Sequence, residues 1–357
     1  MKKRILKLTA VTTTLALLAG CGTATKQTTQ SETPINKEET HVEIEETVGE
    51  LTPLRVNEVV HSVFYAPQYV AAALGYFEEE GLDVSFATGN GADKSMTALI
   101  SDAADIALLG TEAGIYVYNE GMEGYPKAFL QLTQRAGNFL IAREELPDFD
   151  WADLSGSELI GGRAGGMPQM VLEYVLKENG LTPNVDLEIT TNIDFSSTAG
   201  AFTGNVGDYT VEFEPVATTL EQNGIGHIVA SLGEASGYLP YTVYMAQDSF
   251  MEENPEAVLS FTRAIYKGQQ FVATHSAAEI AELVASEFPE NDLDTLTTII
   301  DRYQSQDTWT TTPVFDEDGF NLLQDIMEDG GELSARVPFS DLVTNEFADT
   351  IMEEVEK

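Results

Sequence analysis

Short apolar runs alternate with segments of helical periodicity from residue 53 onward, and this alternation constrains the fold more than any other feature of the sequence. The runs at 54–60, 82–88 and 104–109 have the length and composition of β-strands. The segments at 66–80 and 92–101 have the periodicity of helices. Strands that alternate with helices in this way form mostly parallel sheets flanked by helices, so we predict an α/β fold.

The alternation breaks at residues 147–154 and then resumes. Before the break, further strands are predicted at 127–133 and 139–143. After it, strands are predicted at 159–160, 187–191, 208–213 and 227–231. After a last strand-like run at 241–247, the pattern is helical to the end, as a C-terminal helical tail. This order predicts lobe one from residues 53–144 and 240–357, and lobe two from residues 145–239. Open parallel sheets bind ligands at the carboxyl ends of their strands, so two facing lobes would hold a small molecule between them.

The first 20 residues have the pattern of a bacterial secretion signal. Three basic residues follow Met1, and the apolar stretch at 8–19 is shorter than the roughly 20 residues that span a membrane. The run Leu18-Ala19-Gly20-Cys21 resembles a lipobox, in which Cys21 is diacylated and becomes the mature N-terminus. Residues 21–52 lack almost all large apolar side chains, so we expect a disordered tether. We therefore predict a protein held on the extracellular face of the cell membrane through the Cys21 lipid only.

The chain is strongly acidic. It has 59 Asp and Glu residues against 18 Lys and Arg residues, and its formal charge is −41. Residues 1–20 contain four basic residues and no acid, so the mature chain would carry a charge of about −45. Nucleic acid and anionic lipid headgroups repel such a protein, which excludes both as partners. We expect a monomer with a solvated acidic surface.

Motifs of common enzymes do not occur in the sequence. There is no G-x-x-x-x-G-K-[ST], no G-x-S-x-G and no H-E-x-x-H. Cys21 is the only cysteine, which excludes disulfides, thiol catalysis and Cys-zinc sites. The four histidines have no metal-ligand spacing, so we expect neither a metal nor a cofactor. An exported enzyme and a signalling lipoprotein are alternatives to a binding protein, although no catalytic set supports the enzyme.

The loop GGRAGGMPQM at residues 161–170 is the most distinctive local motif. It follows a predicted strand and opens a helix with Pro168 in its first turn. Backbone N–H groups at such a helix start attract an anionic or strongly polar ligand group, and Arg163 could add a bidentate contact. We therefore predict Arg163, Gly165 and Gly166 as ligand-binding residues. The alternative is an ordinary strand-to-helix turn with Arg163 paired to a surface acid.

Eight further residues complete the predicted binding site, because they follow predicted strands or stand out by residue type. They are Tyr65, Gln68, Asn90, Gly91, Thr111, Glu112, Glu214 and Trp309. Turn geometry explains Gly91 equally well, and helix capping explains Glu214. Trp309 is either part of the core or an aromatic platform for a flat ligand.

Several stretches resemble a known family. The run 65–71, YAPQYVA, followed by LGYFEEEGLDV at 74–84, resembles the opening of substrate-binding proteins of the nitrate/sulfonate/taurine and thiamine-pyrimidine import family. Gly162-Arg163 before a helix and the stretch at 207–215 continue the resemblance, which covers roughly residues 54–345. The resemblance implies a type II periplasmic-binding-protein fold, with two lobes joined by two crossovers. It also implies delivery of a small-molecule ligand to an ABC permease that is driven by its ATPase.

Departures from the family narrow the expected function. Many pyrimidine-binding members have a histidine where this chain has Tyr65. The yeast relatives that make the pyrimidine consume an active-site histidine and use a cysteine-rich motif, and this chain has neither, so the resemblance implies binding without synthesis. The expected ligand is a small heterocyclic nutrient, such as a thiamine-pyrimidine-like or other vitamin precursor. The alternative ligand is a sulfonate, taurine-like or nitrate-like anion held by Arg163 and helix N–H groups.

Overall fold

The computed structural model describes residues 50–357, which form two lobes, each built on a five-stranded sheet. The predicted signal peptide, the lipid-bearing Cys21 and nearly all of the predicted tether lie outside the described residues. Within 50–357, no helix has the length and apolar character that a membrane crossing requires. The predicted two-lobed α/β fold is confirmed.

The strands of the described part of the chain are Thr52–Glu58 (β1), Leu82–Thr88 (β2), Ile106–Gly110 (β3), Pro126–Thr133 (β4), Asn138–Ala142 (β5), Glu158–Ile160 (β6), Glu188–Thr190 (β7), Tyr209–Phe213 (β8), His227–Ser231 (β9) and Thr242–Gln247 (β10). The first sheet has the order β2-β1-β3-β10-β4, and the second has the order β7-β6-β8-β5-β9. In each sheet one strand, β10 or β5, runs antiparallel to its neighbours. All five residues of β3 are buried, as expected for a strand covered on both faces.

Helices cover both sheets. Those of the two lobes are Ala66–Ala73 (α1), Tyr76–Glu79 (α2), Ala92–Ile100 (α3), Thr111–Asn119 (α4), Met167–Glu178 (α5), Thr198–Thr203 (α6), Val216–Gln222 (α7) and Leu232–Ser236 (α8). The C-terminal tail contains Asp248–Glu253 (α9), Pro255–Thr274 (α10), Ala277–Val284 (α11), Leu293–Ser305 (α12), Glu317–Asp329 (α13), Phe339–Leu342 (α14) and Glu346–Val355 (α15). Short 3₁₀ turns lie at Val63–Tyr65, Trp151–Leu154 and Phe195–Ser197.

The first crossing between the lobes corrects the predicted boundary at residues 144 and 145. The strand predicted at 139–143 was assigned to lobe one, but β5 pairs with β8 and β9 in the second sheet. The chain therefore crosses at residues 134–137, before β5. The sequence does not reveal this, because β4 and β5 are both apolar runs and strand partners are not encoded locally. The break at 147–154 is a loop that follows β5.

The predicted helix at 66–80 is two helices. Gly75 has φ 72°, and this left-handed conformation ends α1 and leads into α2. Further along, Ser276 and Glu279 form a capping box at the start of α11. Glycine and capping residues thus position helix ends where the apolar periodicity alone does not.

The C-terminal tail contacts both lobes. The Tyr303 hydroxyl on α12 donates to the Gly137 carbonyl oxygen at 2.8 Å, beside the first crossing. The indole N–H of Trp309 donates to the Phe64 carbonyl oxygen at 2.8 Å in lobe one. Both side chains are buried, so the tail is fixed to the first crossing and to the 3₁₀ turn of lobe one.

Candidate functional site

A cleft lies between the two lobes at the carboxyl ends of the strands β1, β3 and β8. Its lobe-one wall comes from the segment after β1, the start of α3, the junction of β3 and α4, and the residues that enter β10. Its lobe-two wall comes from the loop between β6 and α5 and from two phenylalanines. The lining residues are Val59, Val60, Tyr65, Gly91, Ala92, Gly110, Glu112, Arg163, Gly166, Met167, Pro168, Phe195, Phe213, Tyr241 and Thr242.

Aromatic side chains form much of the cleft wall. The Phe213 ring lies 6.2 Å from the Tyr241 ring and 5.9 Å from the Phe195 ring, measured between centroids. Tyr65 and Tyr241 are buried, and burial raises the pKa of both phenols well above their usual value. The Tyr241 hydroxyl has no hydrogen-bond partner among the described residues. The wall therefore offers flat apolar faces together with an unpaired neutral hydroxyl.

Glu112 supplies a buried carboxyl group to the cleft. It lies in the first turn of α4, its residue is 2% exposed, and its Oε2 has no hydrogen-bond partner among residues 50–357. Burial raises the pKa of this carboxyl to about 7, and nearby backbone N–H groups and Arg163 oppose the rise. A buried acceptor without a donor costs about 1–3 kcal/mol, which a ligand N–H could recover.

Arg163 reaches across the mouth of the cleft. Its Nε lies 3.9 Å from Asp93 Oδ1 on α3 of the other lobe, and its side chain is 42% exposed. Arg163 therefore lines the cleft and also approaches a surface acid, so both alternatives drawn from the sequence describe part of its position. The loop conformation depends on glycine, because Gly162 and Gly165 have φ 88° and 71°.

Direct hydrogen bonds join the lobes beside the cleft. The Tyr116 hydroxyl on α4 donates to the Gly165 carbonyl oxygen at 2.9 Å. The Ser62 hydroxyl, at the 3₁₀ turn of lobe one, donates to the Glu214 carbonyl oxygen at 2.5 Å. The cleft volume is only about 60 Å³, so the two lobes are nearly closed on each other.

Five of the predicted site residues line this cleft: Tyr65, Gly91, Glu112, Arg163 and Gly166. Two others flank it without lining it. The Asn90 carbonyl oxygen accepts a hydrogen bond from Lys94 Nζ at 3.0 Å, and Gly165 contacts Tyr116.

The remaining predicted residues make structural contacts and are not among the residues that line the cleft. Gln68 is buried, with Nε2 2.9 Å from Glu58 Oε2. The Thr111 hydroxyl donates to the Pro240 carbonyl oxygen at 2.7 Å and so ties α4 to the returning chain. In both cases the side chain points into the protein, which a position after a predicted strand does not reveal.

Glu214 and Trp309 are also buried in the protein interior. Glu214 pairs with Arg302 on α12, and its Oε2 accepts the Thr218 N–H at 2.9 Å. Trp309 is 6% exposed, and its indole lies 5.8 Å from the Tyr303 ring. Trp309 is therefore part of the core and not a platform in the cleft, and Glu214 both caps α7 and fixes α12 to lobe two.

Sequence reasoning missed most of the aromatic wall. Phe213 ends a predicted strand, and Tyr241 lies where the chain was predicted to return to lobe one, so both positions carried a usable signal. Met167 lies in the predicted ligand-binding loop at 161–170 but was not selected, and Phe195 carried no signal beyond its residue type. No group of three or more His, Cys, Asp or Glu side chains within residues 50–357 is arranged to hold a metal ion.

Comparison with known proteins identifies the family. Residues 63–278 match the family described as NMT1/THI5 like. The chain is 47% identical over 304 residues to the Bacillus subtilis (strain 168) protein named "Putative binding protein YtlA", covering 85% of this chain and 91% of that protein. A more distant relative is 4-amino-5-hydroxymethyl-2-methylpyrimidine phosphate synthase of Aspergillus parasiticus, with 24% identity over 62% of this chain and 66% of that enzyme.

Solved structures agree with the fold. The alkanesulfonate-binding protein SsuA from Xanthomonas axonopodis pv. citri, bound to MOPS, superposes with a TM-score of 0.67 at 14% identity, covering 83% of this chain and 99% of that one. At this identity the likeness concerns the fold alone. The family match spans more than half of the chain, and the resemblance drawn from residues 65–84 is confirmed. The chain belongs to the NMT1/THI5-like family and has the two-lobed type II periplasmic-binding-protein fold.

Proposed function

We propose that this protein is the extracellular solute-binding component of an ABC importer and that it closes its two lobes around a small nitrogen heterocycle, such as a thiamine-pyrimidine-like compound or another vitamin precursor. The observation that carries the proposal is the composition of the cleft. It combines aromatic walls from both lobes with a single buried carboxyl, Glu112, whose Oε2 has no partner among the described residues.

Each feature of the cleft favours a ring that donates hydrogen bonds. Flat heterocycles stack on aromatic side chains, and Phe213, Phe195 and Tyr241 provide such faces. A ring N–H or exocyclic amine would satisfy Glu112 Oε2, which supplies orientation and specificity. A ring needs more room than about 60 Å³, so the lobes would part to admit it and close again on its contacts.

An anion is the second candidate ligand, because Arg163 lines the cleft and α5 begins beside it. A sulfonate, a taurine-like compound or nitrate would bind the guanidinium and the N–H groups at that helix start. Glu112 weighs against this candidate, because its carboxylate would repel an anion in the same small space.

We propose that the protein binds its ligand without chemistry. The Bacillus subtilis relative that is 47% identical is named a binding protein, which supports this proposal. The synthase activity of the Aspergillus relative is a property of that enzyme. Incubating the purified protein with its ligand and finding a changed compound by mass spectrometry would refute this part of the proposal.

We further propose that Cys21 carries the lipid that holds the protein, as a monomer, on the outer face of the cell membrane beside its permease and ATPase. The lipobox and the short apolar stretch before it support this proposal. Labelled palmitate should enter the wild-type protein and not the Cys21→Ser variant, which should be released into the medium. Labelling of both proteins would refute the lipid anchor.

The decisive experiment is identification of the bound compound. The protein is purified from its own host without denaturation, the small molecules are released with methanol, and they are identified by mass spectrometry. A nitrogen heterocycle in equimolar amount supports the proposal. A sulfonate or nitrate in its place would move the assignment to the second candidate.

A further inference from the structure

Two helix starts from different lobes meet at one position in the cleft. Helix α4 of lobe one has its first turn at Thr111–Ala113, and α5 of lobe two begins at Met167. Backbone N–H groups of Glu112, Ala113 and Met167 all lie close enough to the Glu112 carboxyl to lower its pKa. Unpaired N–H groups and the helix dipoles make such a position attractive to negative charge.

The protein fills this position with its own carboxyl. The Glu112 side chain folds back over Gly110, the residue that precedes α4, and a Cβ atom at Gly110 would overlap Oε2. The carboxyl is buried and lines the cleft, yet Oε2 has no hydrogen-bond partner within the described residues. The position therefore already holds an anionic group, and that group still has an oxygen without a donor.

We propose that Glu112 is a specificity-determining residue: its carboxylate fills the anion-binding position between the two helix starts, so the cleft excludes sulfonates and nitrate and selects a ligand that donates an N–H to this carboxylate. The selection of a donor ligand rests on the proposed function, whereas the exclusion of anions rests on the position of the carboxylate alone.

The groups around Glu112 support the exclusion. Arg163, from the loop before α5, brings positive charge, and Asp93 lies 3.9 Å from its Nε on the other side. Tyr116 and Tyr241 also face the carboxyl, and burial raises the pKa of both phenols, so neither carries a charge at neutral pH. Above pH 7, an entering anion therefore meets the buried negative charge of Glu112. The positive charge of Arg163 offsets this repulsion only in part, because Arg163 also lies beside Asp93.

The test compares wild type with Glu112→Gln, which keeps the shape of the side chain and removes its charge. Isothermal titration calorimetry measures the binding of methanesulfonate, an anion whose charge does not change between pH 5.5 and 8.5. Glu353→Gln is the control, because Glu353 is exposed on α15 and its replacement removes the same charge far from the cleft. Thermal unfolding checks that each variant is folded.

We expect methanesulfonate not to saturate wild type or Glu353→Gln at pH 8.5. Glu112→Gln should bind it with an affinity at least about tenfold higher than that of wild type, a difference of about 1.4 kcal/mol. The affinity of wild type for methanesulfonate should rise as the pH falls below 7, because the Glu112 carboxyl becomes neutral. This pH series needs no variant. Equal binding by wild type and Glu112→Gln at pH 8.5, or no binding by either at any pH, would overturn the proposal.

A second arm separates this inference from the proposed function. The same proteins are titrated with 4-amino-5-hydroxymethyl-2-methylpyrimidine, thiamine and riboflavin. If wild type binds none of these rings but Glu112→Gln gains the ability to bind methanesulfonate, the proposal of a heterocyclic ligand fails and the exclusion of anions by Glu112 stands. If wild type binds a ring and methanesulfonate equally well, the inference about Glu112 fails and the function stands.

Discussion

Glu58 is the centre of a buried polar network at the carboxyl end of β1. Its residue is 1% exposed. Its carboxylate accepts hydrogen bonds from Gln68 Nε2 at 2.9 Å, from the Tyr69 hydroxyl at 2.7 Å and from the Thr88 hydroxyl at 3.1 Å. A buried carboxylate needs hydrogen-bond donors. Gln68, predicted as a ligand-binding residue, is one of the donors to Glu58, and its side chain therefore points into the protein.

His61 completes the network and gives it a pH dependence. Its Nδ1 lies 3.0 Å from Glu58 Oε1, and its Nε2 lies 2.9 Å from the Glu287 carbonyl oxygen. Hydrogen bonding to Glu58 raises the pKa of His61 to about 9, against the opposing effect of burial. Since the pKa in the unfolded chain is about 6.5, the protonated imidazole stabilises the folded state.

The expected stability gain from His61 is complete below about pH 6.5 and is lost as the pH rises through 9. Urea unfolding from pH 6 to 10 should therefore show wild type losing its advantage over His61→Gln across this interval. Parallel curves for wild type and His61→Gln would contradict the assigned role.

At the scale of single elements, the close contact of α1 with α10 depends on one glycine. A Cβ atom at Gly268 would overlap the Pro67 carbonyl oxygen, which belongs to the backbone and cannot rotate away. We expect Gly268→Ala to lower the free energy of unfolding by about 1–3 kcal/mol, because the two helices must move apart.

The matched control for this packing prediction is Gly200→Ala. Gly200 is also helical, on α6, but no atom lies within 4 Å of a Cβ added there. Alanine at that position should leave stability unchanged or raise it by up to about 1 kcal/mol, because it favours the helix. Urea unfolding of both variants makes the comparison, and equal effects would show that the contact with Pro67 does not limit the packing.

Element positions were predictable where the information is local. The strands at 82–88 and 227–231 agree with β2 and β9 residue for residue, because each is a short apolar run bounded by turn residues. The lobe assignment of β5 was not predictable, since it depends on pairing with β8, about 70 residues further along the chain. The same limit applies to the cleft: the sequence indicated Tyr65, Glu112 and Arg163 from strand ends, but not Phe195, whose position depends on tertiary packing.

At the scale of the whole molecule, the two crossings between the lobes lie side by side. The Leu239 N–H donates to the Gln134 carbonyl oxygen at 3.0 Å, and the Arg135 guanidinium lies 3.9 Å from the centre of the Tyr238 ring. We expect the lobes to rotate about the line of these two crossings when the cleft opens. Closure then depends on the contacts across the mouth of the cleft.

Tyr116 provides one of those contacts, and its removal should favour the open form. Tyr116→Phe loses the hydrogen bond to the Gly165 carbonyl oxygen, which costs the closed form about 1 kcal/mol and weakens ligand binding about fivefold. Tyr174→Phe, on a half-buried tyrosine of α5, should bind as wild type does. Titration calorimetry with the compound released from the native protein measures both, and unchanged affinity of Tyr116→Phe would remove this contact from closure.

The aromatic cleft with its buried carboxyl is proposed to bind one small nitrogen heterocycle. Titration calorimetry of the purified protein with 4-amino-5-hydroxymethyl-2-methylpyrimidine, thiamine, riboflavin, taurine and nitrate tests it most directly, with Tyr241→Ala measured alongside wild type. We expect one-to-one binding of a heterocycle by wild type, and affinity at least about tenfold lower for Tyr241→Ala, because a stacking face of the cleft is lost. Binding of taurine or nitrate with no binding of any heterocycle would contradict it.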